Sequence, residues 1–225
     1  MSFFATEVMD PAWGNYFELT TAGYAALILL MLAVLLAGCV ISNPSGKKKI
    51  GTKPLVFSAM AVALAMVTSM IKIVDMPMGG SVTLCSMLFI CLIGYLFGLR
   101  TGLTAAIAYG FLQLIIDPYI ISLVQMLTDY IFAFGALGLS GICSNKKHGL
   151  VTGYLVGVLG RYFFAFLSGM IFFGSYASSY NMTAFTYSLV YNGAYIGLEA
   201  LITVVLLLLP PVAKGLLRVK NMAQE

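Results

Sequence analysis

The sequence predicts an all-α integral membrane protein. Three observations carry this. Of the 225 residues, 61% are hydrophobic and only 9% charged, whereas a soluble domain is about a quarter charged. The mean hydropathy is +1.00. The apolar residues fall into runs near the ~20 residues that a helix needs to cross a bilayer, and no stretch between runs is long enough to fold as a soluble domain. The chain therefore either acts within the bilayer or relies on partners for work outside it.

Seven runs read as membrane helices: 19–41, 54–74, 84–98, 101–116, 120–142, 149–173 and 187–212. Residues 1–18 precede them and lack the basic start and small-residue cleavage site of a signal peptide. The third and fourth runs are short and share one tight connection at Gly98, Leu99 and Arg100. Pro210-Pro211 ends the last run, since proline cannot continue the helical ladder. The charges give the orientation. Lys47, Lys48, Lys49 and Lys53 follow run one, Arg100 follows run three, Lys146 and Lys147 follow run five, and Lys214, Arg218 and Lys220 follow run seven. If the runs alternate, these ten of the twelve basic residues share one side, which is the cytoplasmic side by the positive-inside rule. The N-terminus is then outside and the C-terminus inside. Cys39, Cys85, Cys91 and Cys143 form no paired motif and read as buried thiols.

Ionisable groups within a membrane are costly and mark functional positions by default. Asp129 lies roughly 13 Å from the outer end of run five, and Arg161 and Glu199 roughly 18 Å into runs six and seven. Arg161 and Glu199 read either as a buried structural ion pair or as functional charges. Gln125 precedes Asp129 by one turn on the same face, and Tyr130 adjoins it. The outer ends of runs six and seven, "SGMIFFGSYASSYN" and "TYSLVYNGAY", add Phe172, Phe173, Tyr176, Tyr180, Tyr187, Tyr191 and Asn192. For Tyr176 and Tyr180 an interfacial aromatic belt is the favoured reading. In "MPMGGSVTL", Gly79 and Gly80 serve a tight turn or a close approach of backbone to ligand, with Ser81 and Thr83 offering hydroxyls. A carboxylate, amides and aromatic faces together suit a small cationic heteroaromatic compound taken from outside.

Four tracts, in order, resemble the thiamine-specific substrate-binding (S) component of energy-coupling factor transporters: "MPMGGSVTL", "DPYIISLVQMLTDYIFAFGALGLSGI", "GRYFFAFLSGMIFFGSYA" and "YSLVYNG". The resemblance implies a six-helix transmembrane bundle over 54–212, an additional N-terminal transmembrane helix and basic cytoplasmic loop over 19–53, an extracellular segment over 1–18 and a cytoplasmic tail over 213–225. It implies that thiamine is the transported ligand, with no resident cofactor or metal. Asp129 falls at the family's acidic position, which reads the aminopyrimidine edge with help from Tyr187 and Asn192. Arg161 and Tyr162 match the family's basic–aromatic pair. Gly169 matches the small residue that makes room for the ligand, and Phe173 a stacking ring. Tyr119 and Tyr130 match further pocket positions, Gln125 joins them or supports them, and Gly80 and Ser81 bring backbone and hydroxyl. Some members carry a tryptophan and a glutamate near Gly80 and Leu84, and some a histidine at Ala165. The resemblance also implies partners: a transmembrane T subunit, met through small residues such as Ala59 and Ala63, and two ATPase subunits, besides the lipid bilayer and without nucleic acid.

Other readings remain. An S component for another vitamin or pyrimidine shares the fold, and ligand competition separates the two. A self-sufficient proton-coupled secondary transporter would use Asp129, Arg161 and Glu199 as a relay and would work without ATPase subunits, but no internal repeat is visible. A membrane enzyme is disfavoured. The single histidine, His148, sits in a basic loop, and neither HExxH nor GxSxG occurs; a phosphate-binding GxxxxGK[ST] loop is also missing, so ATP hydrolysis belongs to partners.

Overall fold

The structure, a computed structural model, describes residues 3, 5–10, 14–26, 29 and 51–224. Most of the first predicted helix lies outside the described residues, as do Trp13, Cys39 and Lys47 to Lys49. Near the N-terminus, strands β1 (Ala5–Asp10) and β2 (Gly14–Leu19) pair antiparallel, with Ala5 opposite Leu19 and Asp10 opposite Gly14.

The remaining six predicted runs are the six helices of one bundle. Helix α1 (Thr52–Met70) takes Pro54 in its first turn, where no intrahelical N–H is lost. It ends where Ile71 turns extended. A β-hairpin that hydropathy did not reveal then follows: β3 (Lys72–Asp75) pairs with β4 (Ser81–Thr83), the turn using Gly79 and Gly80 at φ of 94° and 72°. Only glycine adopts such angles without steric cost.

Helix α2 (Ser86–Phe97) has 12 residues, about 18 Å at 1.5 Å per residue, and does not reach across a bilayer alone. It meets α3 (Leu99–Ile116) at the single residue Gly98, φ 85°. Helix α4 runs from Leu123 to Cys143 but is not uniform. Its first turn is α-helical, Leu127–Phe132 is π-helical, and Ala136–Cys143 winds as a 3₁₀-helix. Helix α5 (Gly149–Phe172) leads through a 3₁₀ stretch, Gly174–Tyr180, to α6 (Ala184–Leu208). Thr183 caps α6, its hydroxyl accepting from Thr186 N–H at 3.2 Å. The chain breaks at Leu209 and resumes as α7 (Pro210–Gln224). The proline pair thus stops one helix and starts the next, because proline is tolerated in a first turn. The predicted tail is helical almost to its end.

Five of these helices are long and apolar enough to cross a membrane. Their outward faces carry Leu55, Met60, Leu64, Phe163, Leu201 and Val205 exposed, as lipid contact requires. The interior centres on Met87, Ile90, Tyr109, Leu137, Tyr154 and Ile196. Alternation of the six helices puts Lys53, Arg100, Lys146 and Lys147 at one end of the bundle. Helix α7 packs there too: Lys220 donates from Nζ to the Ser144 carbonyl at 3.0 Å and lies 4.1 Å from the Tyr95 ring centroid. The cysteines Cys85, Cys91 and Cys143 are buried free thiols.

Candidate functional site

At the end of the bundle opposite those basic residues lies a cavity of about 710 Å³. Four parts of the fold build it, and each brings a different chemistry.

Helix α4 brings the acid. Asp129 lies in the π-helical turn and faces the cavity. A π-turn inserts a residue into the helix and re-aims the side chains that follow, a device common at functional sites. Gln125, 1% exposed, donates from Nε2 to Asp129 Oδ2 at 2.8 Å and to the Tyr119 carbonyl at 3.1 Å, and accepts from Ile121 N–H at 3.0 Å. Its amide is thus engaged on both ends and lies behind the wall of the cavity, not in it. Tyr130 accepts from Tyr119 N–H at 2.9 Å and donates to the Asp117 carbonyl at 2.8 Å. Together these two side chains hold the α3–α4 linker, which sets Tyr119 in the wall.

Helix α5 brings the base and a ring. The Arg161 guanidinium lies 4.4 Å from the Phe134 ring centroid, a cation–π contact that eases a charge held at membrane depth. Phe173 stacks on Tyr119 and Tyr176, each at a centroid distance of 6.0 Å. Tyr176 therefore belongs to the cavity wall rather than to an interfacial belt. Gly169 lines the cavity and also lets α5 approach α6, for a Cβ there would strike Ser188 Oγ and lie 2.9 Å from Asn192 Nδ2.

Helix α6 brings a column of rings. Tyr187 and Tyr191 stack at 5.7 Å and 3°, with Tyr180 beside the first and Tyr195 beside the second. Asn192, 3% exposed, donates to the Ser188 and Ala165 carbonyls at 3.0 and 3.2 Å and accepts from Tyr195 OH at 3.1 Å. Tyr187 and Asn192, five residues apart on α6, both line the cavity.

The β3–β4 hairpin closes the cavity. A Cβ on Gly79 would lie 3.5 Å from the Tyr191 ring, and one on Gly80 2.9 Å from Tyr195 Cδ1. Bare backbone thus rests on the tyrosine column. Tyr187 OH donates to the Met78 carbonyl at 3.4 Å and Tyr180 OH to the Pro77 carbonyl at 3.1 Å. Ser81 lines the cavity, its hydroxyl donating to Asp75 Oδ1 at 2.7 Å.

Of the predicted site residues, Asp129, Tyr130, Tyr119, Arg161, Gly169, Phe173, Tyr187, Asn192, Gly80 and Ser81 line this cavity. Two do not. Gln125 supports from behind, and Tyr162 faces elsewhere: its hydroxyl donates to the Leu189 carbonyl at 3.2 Å and its ring tilts on Phe166. One residue along a helix turns a side chain by 100°, so Arg161 and Tyr162 cannot share a face. The anticipated Arg161–Glu199 ion pair is not made. Glu199 faces the start of α2, where Thr83, Ser86 and Met87 donate to it. Sequence reasoning missed Lys72, Gln113, Asp117, Phe134 and Tyr195 as lining residues. Tyr195 alone left a signal, four residues beyond Tyr191 and so on the same helix face.

The thiamine transporter protein family matches residues 55–218. The chain is 36% identical over 154 residues to the thiamine transporter ThiT of Bacillus subtilis (strain 168), covering 62% of this chain and 78% of that protein. The solved structure of ThiT from Listeria monocytogenes superposes with a TM-score of 0.58 at 26% identity, covering 70% of this chain and 94% of that one.

Proposed function

The chain belongs to the thiamine transporter family and is a multi-pass membrane transport protein, not an enzyme; from that premise we propose that it captures thiamine from outside as the S component of an ATP-driven energy-coupling factor transporter. The observation that carries this is the pairing, in one cavity, of Asp129 with walls of aromatic rings. Thiamine joins an aminopyrimidine to a cationic thiazolium. A carboxylate accepts from the amino edge of the first, and ring faces attract the second. Phe173, Tyr119, Tyr191 and Tyr195 supply those faces. Lys72 and Arg161 offset the charges of Asp117 and Asp129, so the cavity is polar without a large net charge.

In this reading the cavity end faces outward and the basic end faces the cytoplasm, with residues 54–212 as the binding core. The T subunit docks on α1. There, Ala61 and Ala65 are buried within the bundle, whereas Ala59 and Ala63 are exposed. Small residues on an outward face permit close approach of a second helix in lipid. Two ATPase subunits supply the energy. A proton relay through Asp129, Arg161 and Glu199 gains no support, since Glu199 bonds to the hairpin and the start of α2.

Titration of the purified chain with thiamine by calorimetry in detergent tests the reading. Stoichiometric binding without ATP is expected. Folded protein that ignores thiamine but binds another pyrimidine compound would overturn the ligand assignment and keep the fold.

A further inference from the structure

Helix α2 starts without a cap of its own. Cys85, the residue before it, sits at φ 54° and offers no side-chain hydrogen bond to the first turn. A non-glycine residue in that region carries a steric cost and persists only where its surroundings hold it. The hold comes from another helix. Glu199 of α6, 3% exposed, accepts from Thr83 Oγ1 at 2.7 Å and Thr83 N–H at 3.2 Å on one oxygen. The other oxygen accepts from Ser86 Oγ at 3.2 Å and Met87 N–H at 3.3 Å. A carboxylate at a helix N-terminus satisfies orphan amides and complements the helix dipole. Here it also grips the last residue of β4, so it ties the base of the hairpin to α6. The tip of that hairpin rests on α6 and the turn before it through the bonds from Tyr187 and Tyr180.

We propose that Glu199 is a positioning residue that fastens the Lys72–Thr83 hairpin over the cavity and thereby sets how fast a bound ligand leaves. It does not line the cavity itself. Its effect passes through Thr83, which does, and through the backbone at Gly79 and Gly80. The kinetic part rests on the thiamine reading above; the fastening does not. A restraint on a closing element acts mainly on the dissociation rate.

The test uses the full chain in detergent. Without ligand, Glu199→Gln should speed amide hydrogen exchange over residues 71–87 by about tenfold, leaving α4 unchanged. Thiamine dissociation should rise about tenfold, with association altered less than about threefold. Ser86→Ala should shift both readouts in the same direction by less, and the double variant should be no faster than Glu199→Gln alone, as for members of one network. Exchange that rises evenly through all helices, or a hairpin and a dissociation rate that do not change, overturns the proposal. If Glu199→Gln does not fold, Ser86→Ala decides alone by the same criterion. If the unaltered chain ignores thiamine, the ligand reading fails while the exchange arm still judges the fastening.

Discussion

At the basic end of the bundle, α2, α3 and α4 meet backbone to backbone. A Cβ on Gly102 would lie 2.7 Å from Gly94 Cα, and one on Gly138 2.5 Å from Leu103 Cα. At the other end, rings from the α3–α4 linker, α4, the end of α5 and α6 (Tyr119, Phe134, Phe173 and Tyr191) stand around a cavity. Residue size contributes to the difference: glycines draw α2, α3 and α4 together at the closed end, while aromatic rings line the space at the other, where Gly110 and Gly169 still bring neighbouring helices close. The closed end supplies rigidity, and the open end supplies a surface that is polar, aromatic and preformed.

Filling the closed end should do the most damage. Gly138→Val sets side-chain atoms against the backbone of Gly102 and Leu103, which cannot yield as a flexible side chain would. A loss of about 3 kcal/mol or more is expected, read as a large fall in the melting temperature in detergent, with binding lost only as folding is lost. The open end should respond oppositely. Asp129→Asn should weaken thiamine binding by about a hundredfold, roughly 2.7 kcal/mol, with a much smaller change in melting temperature; calorimetry beside thermal unfolding compares the two. Phe173→Ala removes a stacking face worth about 0.5–1.5 kcal/mol beyond its area, so binding should weaken about tenfold. Gln125→Ala leaves Asp129 without its 2.8 Å donor, and binding should fall by a factor of about five to ten. The smallest effect belongs to Tyr162→Phe. It loses one bond to the Leu189 carbonyl, about 1 kcal/mol of stability, and should leave affinity unchanged; a large loss of affinity would bring Tyr162 back into the binding site.

The sites where sequence reasoning stopped short follow a pattern. Asp129 announced itself because a carboxylate within an apolar run conflicts with its surroundings, a conflict visible along the chain. Glu199 announced itself in the same way, but its partner did not. Charge complementarity pointed to Arg161, whereas the donors come from Thr83, Ser86 and Met87, more than a hundred residues away in the chain. The hairpin was invisible because four residues of β3 and three of β4 lack a readable alternation. The π-turn was invisible because no residue type marks it. Lys72 and Gln113 lie near the ends of their predicted runs, 54–74 and 101–116, where polar residues are ordinary.

The sequence by itself determined the membrane class, six of the helical runs, the separation of a basic end from a polar aromatic end, and most of the residues around the cavity. The first three follow from transfer energies and helical period, which are summed over near neighbours in the chain; several of the cavity residues, Tyr119 and Gly169 among them, come from the resemblance of four tracts to a known family. Only the tertiary structure decided that Gln125 stands behind Asp129, that Tyr162 faces away, that backbone at Gly79 and Gly80 rests on tyrosine rings, and that Glu199 caps a helix not its own. Each of those depends on which distant backbone donor or ring face comes within about 3–6 Å, a matter of helix crossing and side-chain direction that no local pattern encodes.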